Sequence, residues 1–260
     1  MLDDSYRLSA ATGLDRGDRE HQQDQVALIA HPHVDGCVMG VVADGMGGRT
    51  GGRKASSQGV LTARQLFENY QPGRDDPEEL LRQIGYEAHT VIRLIGMAAV
   101  QEPHSTLAAF IINPDGACVW VHSGDSRIYH FHGNTLVKRT RDHSYVQLLV
   151  DSGELTEAEA AVHPQSNVLL SCLGMDSEPE LDVHYIPRLQ HGDALLACSD
   201  GLWHYFDAEE LGMVVSALSP REASQVLVRQ ARKRAMGCGD NLGLVIVRLD
   251  PIAPAPKSPT

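Results

Sequence analysis

The chain has 260 residues, of which 42% are hydrophobic and 22% are charged, a balance typical of a folded globular domain and too apolar for disorder. Its formal net charge of −12 argues against a nucleic-acid-binding protein, because phosphate backbones need a basic surface. The five cysteines form no CxxC pair, which favours reduced thiols. The N-terminal segment lacks the pattern of a signal peptide, and no apolar run approaches the roughly 18 residues of a membrane span. We therefore predict a cytoplasmic protein that binds no nucleic acid and no membrane.

Short apolar runs bounded by turn residues predict eight β-strands. They are residues 25–30, 37–43, 106–112, 117–122, 127–132, 134–139, 193–199 and 242–249. Turn-like links at 113–116 and 132–134 would join the four central runs into one antiparallel meander over 106–139. Helical spacing predicts four helices, at 52–70, 77–100, 206–218 and 219–236.

The order of these elements favours layers of antiparallel sheet with helices outside them. Two helices lie between the second and third predicted strands and two more before the last, which does not fit a wound βαβ sheet. Residues 144–170 form a polar excursion, called the flap below, and are expected to be a small helical unit. The proline-rich segment 250–260 is predicted to be a disordered tail, so that residues 1–249 form one domain.

The stretch VVADGMGGRTGGRKAS, residues 41–56, ends an apolar run with Asp44 and then turns through five glycines. Such a loop could cradle phosphate with its amides, or its carboxylate could hold a metal. A Walker A loop needs lysine directly after its last glycine, whereas Arg53 follows Gly52 here. The dinucleotide-binding pattern needs glycine at position 50, where Thr50 stands. The residues therefore favour the carboxylate.

Four aspartates stand at the ends of apolar strands, each next to a glycine: Asp44, Asp125, Asp200 and Asp240. A single aspartate in this position is usually a turn or cap residue, but four of them suggest a cluster at one edge of the sheets. Clustered carboxylates repel one another unless cations hold them together. Oxygen ligands without His or Cys favour Mg²⁺ or Mn²⁺, and the bare backbone at Gly45 would let its carbonyl join the ligands.

A set of motifs in this order resembles the metal-dependent PPM family of Ser/Thr protein phosphatases, of the bacterial type (type 2C-like). The motifs are Arg19 with Asp24, DGMGG (44–48), GDSRIY (124–129), RDHS (141–144), SCLG (171–174), SDGLW (199–203) and GDN (239–241). The resemblance covers roughly residues 13–249, and DGMGG together with SDGLW is very specific. It implies an α+β fold, a four-layer α-β-β-α sandwich of two antiparallel sheets flanked by helices. It also implies two or three Mn²⁺ or Mg²⁺ ions at one edge of the paired sheets.

The resemblance also implies roles for individual residues. Asp44 would bridge two metal ions, and Gly45 would give its carbonyl to one of them. By the same resemblance, Asp200 and Asp240 would be further ligands of the core metals. Asp125 and Asp200 would together hold a third, more weakly bound metal. Arg19 would grip the substrate phosphate and Asp24 would orient metal-bound water. The implied reaction is hydrolysis of phosphoserine and phosphothreonine in proteins by a metal-bridging hydroxide, without a phosphoenzyme.

The chain departs from the family pattern at two positions that bear on chemistry. Gln23 stands where many members have a metal-contacting Glu, and Met46 stands where animal members keep a His thought to protonate the leaving group. The source of that proton stays open. A zinc site at His130 and His132 is less favoured than ordinary histidines, because no third ligand has a fitting spacing.

Three interpretations of function follow from the resemblance. The first is a phosphatase, active as a monomer, whose partners are phosphorylated proteins and a cognate Ser/Thr kinase that it opposes. The second is a pseudophosphatase that binds phosphoproteins without turnover, but such a protein should have lost Asp44, Asp200 or Asp240, and all three are present. The third is a phosphatase with a narrow regulatory target, which only the flap and the surface could reveal.

Overall fold

Two five-stranded antiparallel sheets form the centre of the molecule, in a computed structural model that describes residues 6–99 and 102–251. Sheet I has the strand order β1, β12, β11, β8, β9, with β1 at Tyr6–Asp15, β12 at Leu242–Pro251, β11 at Asp193–Cys198, β8 at Arg127–His132 and β9 at Thr135–Arg139. Sheet II has the order β10, β7, β6, β3, β2, with β10 at Asp182–Ile186, β7 at Cys118–Ser123, β6 at Leu107–Ile112, β3 at Val38–Ala43 and β2 at Gln25–Ala30. A short pair, β4 (Gly45–Met46) and β5 (His104–Ser105), continues beyond β3.

The central strands are buried on both faces, which explains their continuous apolar sequences. In β6 the side chains of Leu107, Ala109 and Ile111 face one core, and those of Ala108, Phe110 and Ile112 face another. This alternation follows from the two-residue period of a strand. A strand covered on both faces needs apolar residues at every position, so β6 lacks the alternation of a half-exposed strand.

Helices cover the outer face of each sheet and complete four layers. Helices α1 (Gly48–Phe67) and α2 (Pro77–Ala99) pack on sheet II, where Phe67, Leu81 and Ile92 join the outer core. On sheet I the helices are α6 (Ala208–Ala217) and α7 (Pro220–Ala235). The predicted α-β-β-α sandwich is therefore confirmed. None of the helices within the described ranges is long and apolar enough to cross a membrane.

The predicted single meander over 106–139 is wrong. Strands β6 and β7 pair in sheet II, whereas β8 and β9 pair in sheet I, so the chain changes sheets between Ser123 and Arg127. Gly124 makes this change with a backbone φ of 100°, a conformation that favours glycine. The two turns were predicted correctly, but an apolar run does not specify which sheet it joins. This crossing places Asp125 between the two sheets.

Two edge strands, β1 and β10, were not predicted from the sequence. β1 pairs with β12 along its whole length, from Tyr6 opposite Pro251 to Asp15 opposite Leu242. Both strands mix polar and apolar residues because an edge strand is partly exposed. The pairing also shows that β12 includes the first two residues of the predicted tail, 250 and 251, while 252–260 lie outside the described residues.

The flap contains two short helices, and its two ends form a neck that joins it to the sandwich. They are α3 (Tyr145–Asp151), capped by the Ser144 side chain, and α4 (Glu157–Ala161), which has a capping box at Thr156. The two ends of the flap meet where the amide of Leu170 donates to the carbonyl of His143 at 2.8 Å. The two chain segments that join the flap to the sandwich therefore lie side by side.

Candidate metal centre

The fold brings the aspartates predicted from strand ends together at one edge of the sandwich. Asp44 follows β3, Asp125 lies at the crossing between the sheets, and Asp240 precedes β12. Asp200 follows β11 and is the first residue of α5 (Asp200–Trp203). Burial, together with the charges of Asp24, Asp200, Asp125 and Asp240, raises the pKa of Asp44 well above its usual value. Since these charges act on one carboxylate, the five side chains form one group, called the carboxylate cluster below.

The electrostatics of the carboxylate cluster call for a positive charge. Burial is the main cause that raises the pKa of Asp24 to about 7 and that of Asp200 to about 6. Burial and the neighbouring Asp200 also raise the pKa of Asp125. One oxygen of Asp24 and one of Asp200 are buried without a hydrogen-bond partner among the described residues. Unpaired buried carboxylate oxygens are costly, so these residues fit an oxygen-preferring divalent cation.

Glycines allow the loops of the cluster to touch backbone to backbone. A Cβ added to Gly45 would lie 2.1 Å from the carbonyl oxygen of Gly52, and one added to Gly201 would lie 1.9 Å from that of Asn241. Neither position can therefore hold a larger residue without separating the loops. The glycines have this packing role in addition to the bare carbonyl that the sequence analysis assigned to Gly45, and its role as a ligand stays a prediction.

We expect Gly201→Ala to weaken Mn²⁺ binding by at least about tenfold, because the added methyl group would push the loop of Asp200 away from that of Asp240. Isothermal titration of the metal-free protein with Mn²⁺ measures this change. The matched control is Gly59→Ala in α1, where the nearest atom is 3.8 Å away, and where alanine should raise the free energy of unfolding by about 0.5–1 kcal/mol. Equal affinities for both variants would contradict the close-packing argument.

Hydrogen bonds orient two of the aspartates. The Ser199 hydroxyl donates to Asp24 Oδ2 at 2.6 Å and accepts from the Gly243 amide at 2.8 Å. The amide of Asp44 donates to Thr106 Oγ1 at 2.9 Å, and the Thr106 amide donates to the carbonyl of Asp44 at 2.9 Å. Sequence analysis missed Ser199 and Thr106 as supporting residues, because their partners lie far away along the chain.

Asn241 holds the N-terminal loop that carries Arg19. Its side-chain amide nitrogen donates to the carbonyls of Arg16 and His21 at 2.8 and 3.0 Å, and its oxygen accepts from the Gln23 amide at 2.7 Å. This one side chain therefore makes hydrogen bonds to three backbone groups of the same loop. The GDN motif places an asparagine here, and in the structure its side chain holds the N-terminal loop in place.

Arg19 lies at the mouth of the cluster. Its Nη2 is 2.5 Å from Asp240 Oδ2, and 61% of its side chain is exposed. The hydrogen bond to Asp240, supported by the charges of Asp200 and Asp44, raises the pKa of the guanidinium. In this structure Arg19 is paired with Asp240, and its contact with a substrate phosphate stays a prediction.

A buried ion pair supports Asp125 from the side of the flap. Arg127 makes a bidentate contact with Asp142, with N–O distances of 2.8 and 2.7 Å, and its guanidinium lies 3.6 Å from the centre of the Trp203 ring. The indole nitrogen of Trp203 in turn donates to the carbonyl of Asp125 at 2.9 Å. The GDSRIY, RDHS and SDGLW motifs thus meet in a single network.

Arg127→Leu is expected to lower the free energy of unfolding by about 3–5 kcal/mol, since it leaves the buried Asp142 carboxylate unpaired. Urea unfolding of the whole chain, followed by tryptophan fluorescence, measures the change. Arg93→Leu removes an exposed pair with Asp176 and should cost less than about 1 kcal/mol. Similar losses for the two variants would mean that the Arg127 network contributes no more than a surface ion pair.

A cavity of about 710 Å³ opens beside the cluster. Its lining includes Asp125 and Asp200 of the cluster, the aromatic residues Trp203 and Phe206, and Val146 of the flap. Residues of the flap and of the carboxylate cluster therefore line the same cavity.

Other residues discussed in the sequence analysis lie outside the cluster or do not contribute an ion ligand. Gln23 directs its side-chain nitrogen to the carbonyl of Gly48 at 2.7 Å, so it helps to hold the start of α1. His130 and His132 lie against the same Asp193 carboxylate in sheet I, at 3.1 and 2.7 Å. The five cysteines are unpaired in the described part of the chain.

An α-β-β-α sandwich with clustered carboxylates at its sheet edge defines a class of proteins that bind hard divalent cations. Within that class, residues 15–233 match the sequence profile of protein phosphatase 2C. The serine/threonine phosphatase stp of Listeria welshimeri is 32% identical over 248 residues, which cover 90% of this chain and 92% of that protein.

Solved structures agree with this relationship. The serine/threonine phosphatase PstP/Ppp of Mycobacterium tuberculosis superposes with a TM-score of 0.81 at 29% identity, over 94% of this chain and 99% of that one. A PstP catalytic domain in complex with two manganese ions has a TM-score of 0.80 at 27% identity, over 95% and 100% of the two chains. The chain belongs to the protein phosphatase 2C family. It is a metal-dependent protein serine/threonine phosphatase, as its sequence predicts.

Proposed function

We propose that the carboxylate cluster binds two or three Mn²⁺ or Mg²⁺ ions and that the enzyme hydrolyses phosphoserine and phosphothreonine esters in proteins at this site. The single observation that carries the proposal is the convergence of Asp24, Asp44, Asp125, Asp200 and Asp240 at one site. Burial there raises the pKa of the first four carboxyls, and one oxygen each of Asp24 and Asp200 has no hydrogen-bond partner among the described residues. In this proposal Asp44, Asp200, Asp240 and the Gly45 carbonyl hold the core ions, and Asp125 with Asp200 holds a third.

Bound divalent cations supply Lewis-acid activation of water and neutralise charge on the phosphoryl oxygens. Asp24 presents a buried carboxylate whose Oδ2 is already bonded to Ser199, so its Oδ1 is left to accept a proton in a hydrogen bond from water and to orient it. Arg19 would leave Asp240 and grip the phosphate, because its planar guanidinium matches two phosphoryl oxygens.

Two hydroxyl groups that are hydrogen-bonded to cluster residues are unsuited to act as nucleophiles. Ser199 is fully buried and its proton is committed to Asp24, while Thr106 shares a 2.7 Å hydrogen bond with Ser126 and accepts from Asp44. An attacking oxygen in a phosphoryl transfer must instead approach in line with the leaving group. These contacts support direct attack by water and the absence of a phosphoenzyme.

The partner, the oligomeric state and the cellular location of the enzyme are part of the same proposal. The enzyme would oppose a cognate Ser/Thr kinase and share its substrates, as a monomer in the cytoplasm. A pseudophosphatase remains disfavoured, because Asp44, Asp200 and Asp240 are all present in the cluster. A narrow target would be selected by the cavity beside the carboxylate cluster, which Trp203 and Phe206 line together with Asp125 and Asp200.

Phosphate release from a phosphothreonine peptide tests the proposal directly. We expect release with Mn²⁺ and none after excess EDTA, and we expect activity to return when Mn²⁺ is restored. A folded, metal-loaded protein that releases no phosphate from the peptide or from kinase-phosphorylated protein would overturn it. Release that persists in EDTA would overturn the metal assignment.

A further inference from the structure

A second group of possible metal ligands lies at the neck of the flap, apart from the carboxylate cluster. It consists of His122, His143 and Asp182, and one ligand atom of each lies within 4.8 Å of the others. His122 is on β7, directly opposite Asp182 on β10, and His143 is in the segment that leads into α3. Facing positions on paired strands place their side chains on the same side of the sheet.

Two buried nitrogens in this group have no hydrogen-bond partner in the part of the chain that the structure describes. They are Nδ1 of His122, a residue 3% exposed, and Nε2 of His143, a residue 8% exposed. Asp182 Oδ2 lies 3.4 Å from His143 Nε2, which is long for a hydrogen bond, and more than half of the Asp182 side chain is exposed. Buried polar atoms without partners are rare in folded proteins, so a missing ligand is a direct explanation.

The hydrogen bonds of His122 prepare its other nitrogen for a metal. Its Nε2 lies 2.7 Å from the carbonyl of Arg141, so this nitrogen carries the proton and donates it. The lone pair is therefore on Nδ1, the buried nitrogen that has no hydrogen-bond partner among the described residues. Histidines that bind metals commonly donate their second N–H to a backbone carbonyl in this way.

We propose that His122 Nδ1, His143 Nε2 and the Asp182 carboxylate form a site for a transition-metal cation of the zinc type, with water in the remaining position. Imidazole nitrogens suit Zn²⁺ and related ions, whereas the oxygen-only carboxylate cluster suits Mg²⁺ and Mn²⁺. The two sites thus differ in metal preference, and the neck site is open to solvent on the side of Asp182.

Binding requires a change at His143. In this structure the amide of Gly124 donates to His143 Nδ1 at 3.3 Å, which leaves the proton on Nε2. Coordination through Nε2 moves that proton to Nδ1 and breaks this long contact. We therefore expect weaker binding than at a site in which both imidazoles are already in the binding tautomer.

A cation at this site would fasten the flap to sheet II. The backbone of His143 accepts from Leu170, and the next residue, Ser144, caps α3, so both ends of the flap depend on this segment. His122 is on the strand that leads into Asp125. The site would therefore stabilise the neck of the flap without contributing to the carboxylate cluster.

The test is a titration of the full chain with Co²⁺, and with Zn²⁺ in competition, while saturating Mg²⁺ occupies the carboxylate cluster. Wild type should take up one Co²⁺ with the visible spectrum of a four-coordinate ion, and Zn²⁺ should displace it. Asp182→Asn, at a half-exposed position that the fold tolerates, should weaken binding by at least about tenfold. His122→Asn should abolish the spectrum.

His132→Asn is the matched control, because His132 is a more exposed histidine on sheet I that lies outside the group. It should bind Co²⁺ like wild type. The proposal is overturned if wild type shows no four-coordinate Co²⁺ spectrum, or if the spectrum and affinity persist in Asp182→Asn. Because Mg²⁺ supports the carboxylate cluster throughout, failure at the neck leaves the proposed phosphatase site unaffected.

Discussion

Asp200→Asn is expected to lower kcat/KM for a phosphothreonine peptide by at least about a hundredfold, with the fold retained. The amide has the size of the carboxylate but lacks its charge and one of its two acceptor oxygens. A steady-state assay at several Mn²⁺ concentrations measures the loss. Part of the activity should return at high Mn²⁺ if the loss comes from weaker metal binding.

The same substitution should affect stability in the opposite direction. In metal-free protein the burial of Asp200 and its nearness to Asp240 disfavour its charge, which is why its pKa is raised to about 6. Removing that charge relieves repulsion near neutral pH, so the Tm without metal should equal or exceed that of wild type. The rise in Tm on adding Mn²⁺ should shrink, because the stabilisation that a bound ligand gives decreases as its Kd increases.

Asp176→Asn is the matched control for this pair of results. Asp176 is a fully exposed aspartate paired with Arg93 at 3.3 Å, so its variant should retain wild-type activity and the full Mn²⁺-dependent rise in Tm. Wild-type turnover in Asp200→Asn would contradict the assignment of Asp200 as a metal ligand. A variant that fails to fold would contradict the expected stability.

Arg19→Ala should raise KM for the phosphopeptide by about 10- to 100-fold, with a smaller effect on kcat. The reason is the loss of a charge-assisted hydrogen bond to phosphate, which contributes about 1.5–3 kcal/mol. Arg19→Lys should recover only part of the loss, since an ammonium group lacks the two-pronged geometry of guanidinium. Initial-rate measurements over a range of peptide concentrations distinguish KM from kcat.

The contact between Arg19 and Asp240 makes a second measurement necessary. In this structure the two side chains are 2.5 Å apart, so Arg19→Ala also frees a carboxylate of the cluster. Mn²⁺ affinity should then stay the same or increase, because a competing cation has been removed. Arg16→Ala, in the same loop with an exposed side chain, is the control and should change neither quantity. An unchanged KM in Arg19→Ala would mean that Arg19 does not bind phosphate.

The acidic residues of the candidate site could be predicted from the sequence because they stand at the ends of apolar strands. Each of Asp44, Asp125, Asp200 and Asp240 follows or precedes an apolar run, and antiparallel sheets can bring such ends to one edge. The strand β2 and the strand β8 were predicted with the bounds that the structure has, since both are short apolar runs between clear turns. The order of motifs then implied the family and the sandwich.

The sequence did not show which of the two sheets each strand joins, and the reason is physical. Strands β6, β7 and β11 are buried on both faces, so their sequences are mostly apolar and do not indicate which neighbour each strand pairs with. The predicted meander therefore placed in one sheet four strands that belong to two. The edge strands β1 and β10 were missed because partial exposure gives them polar residues that resemble a loop.

By itself, then, the sequence determined the apolar strands, the four long helices and the acidic residues at the strand ends, because these depend on residues close together along the chain. Only the tertiary structure revealed the residues that support the site, such as Ser199 at Asp24 and Trp203 at Asp125. It also brought His122 and His143 to Asp182 at the neck of the flap. Such contacts join residues far apart in sequence, and their free energy depends on burial and geometry that no local pattern records.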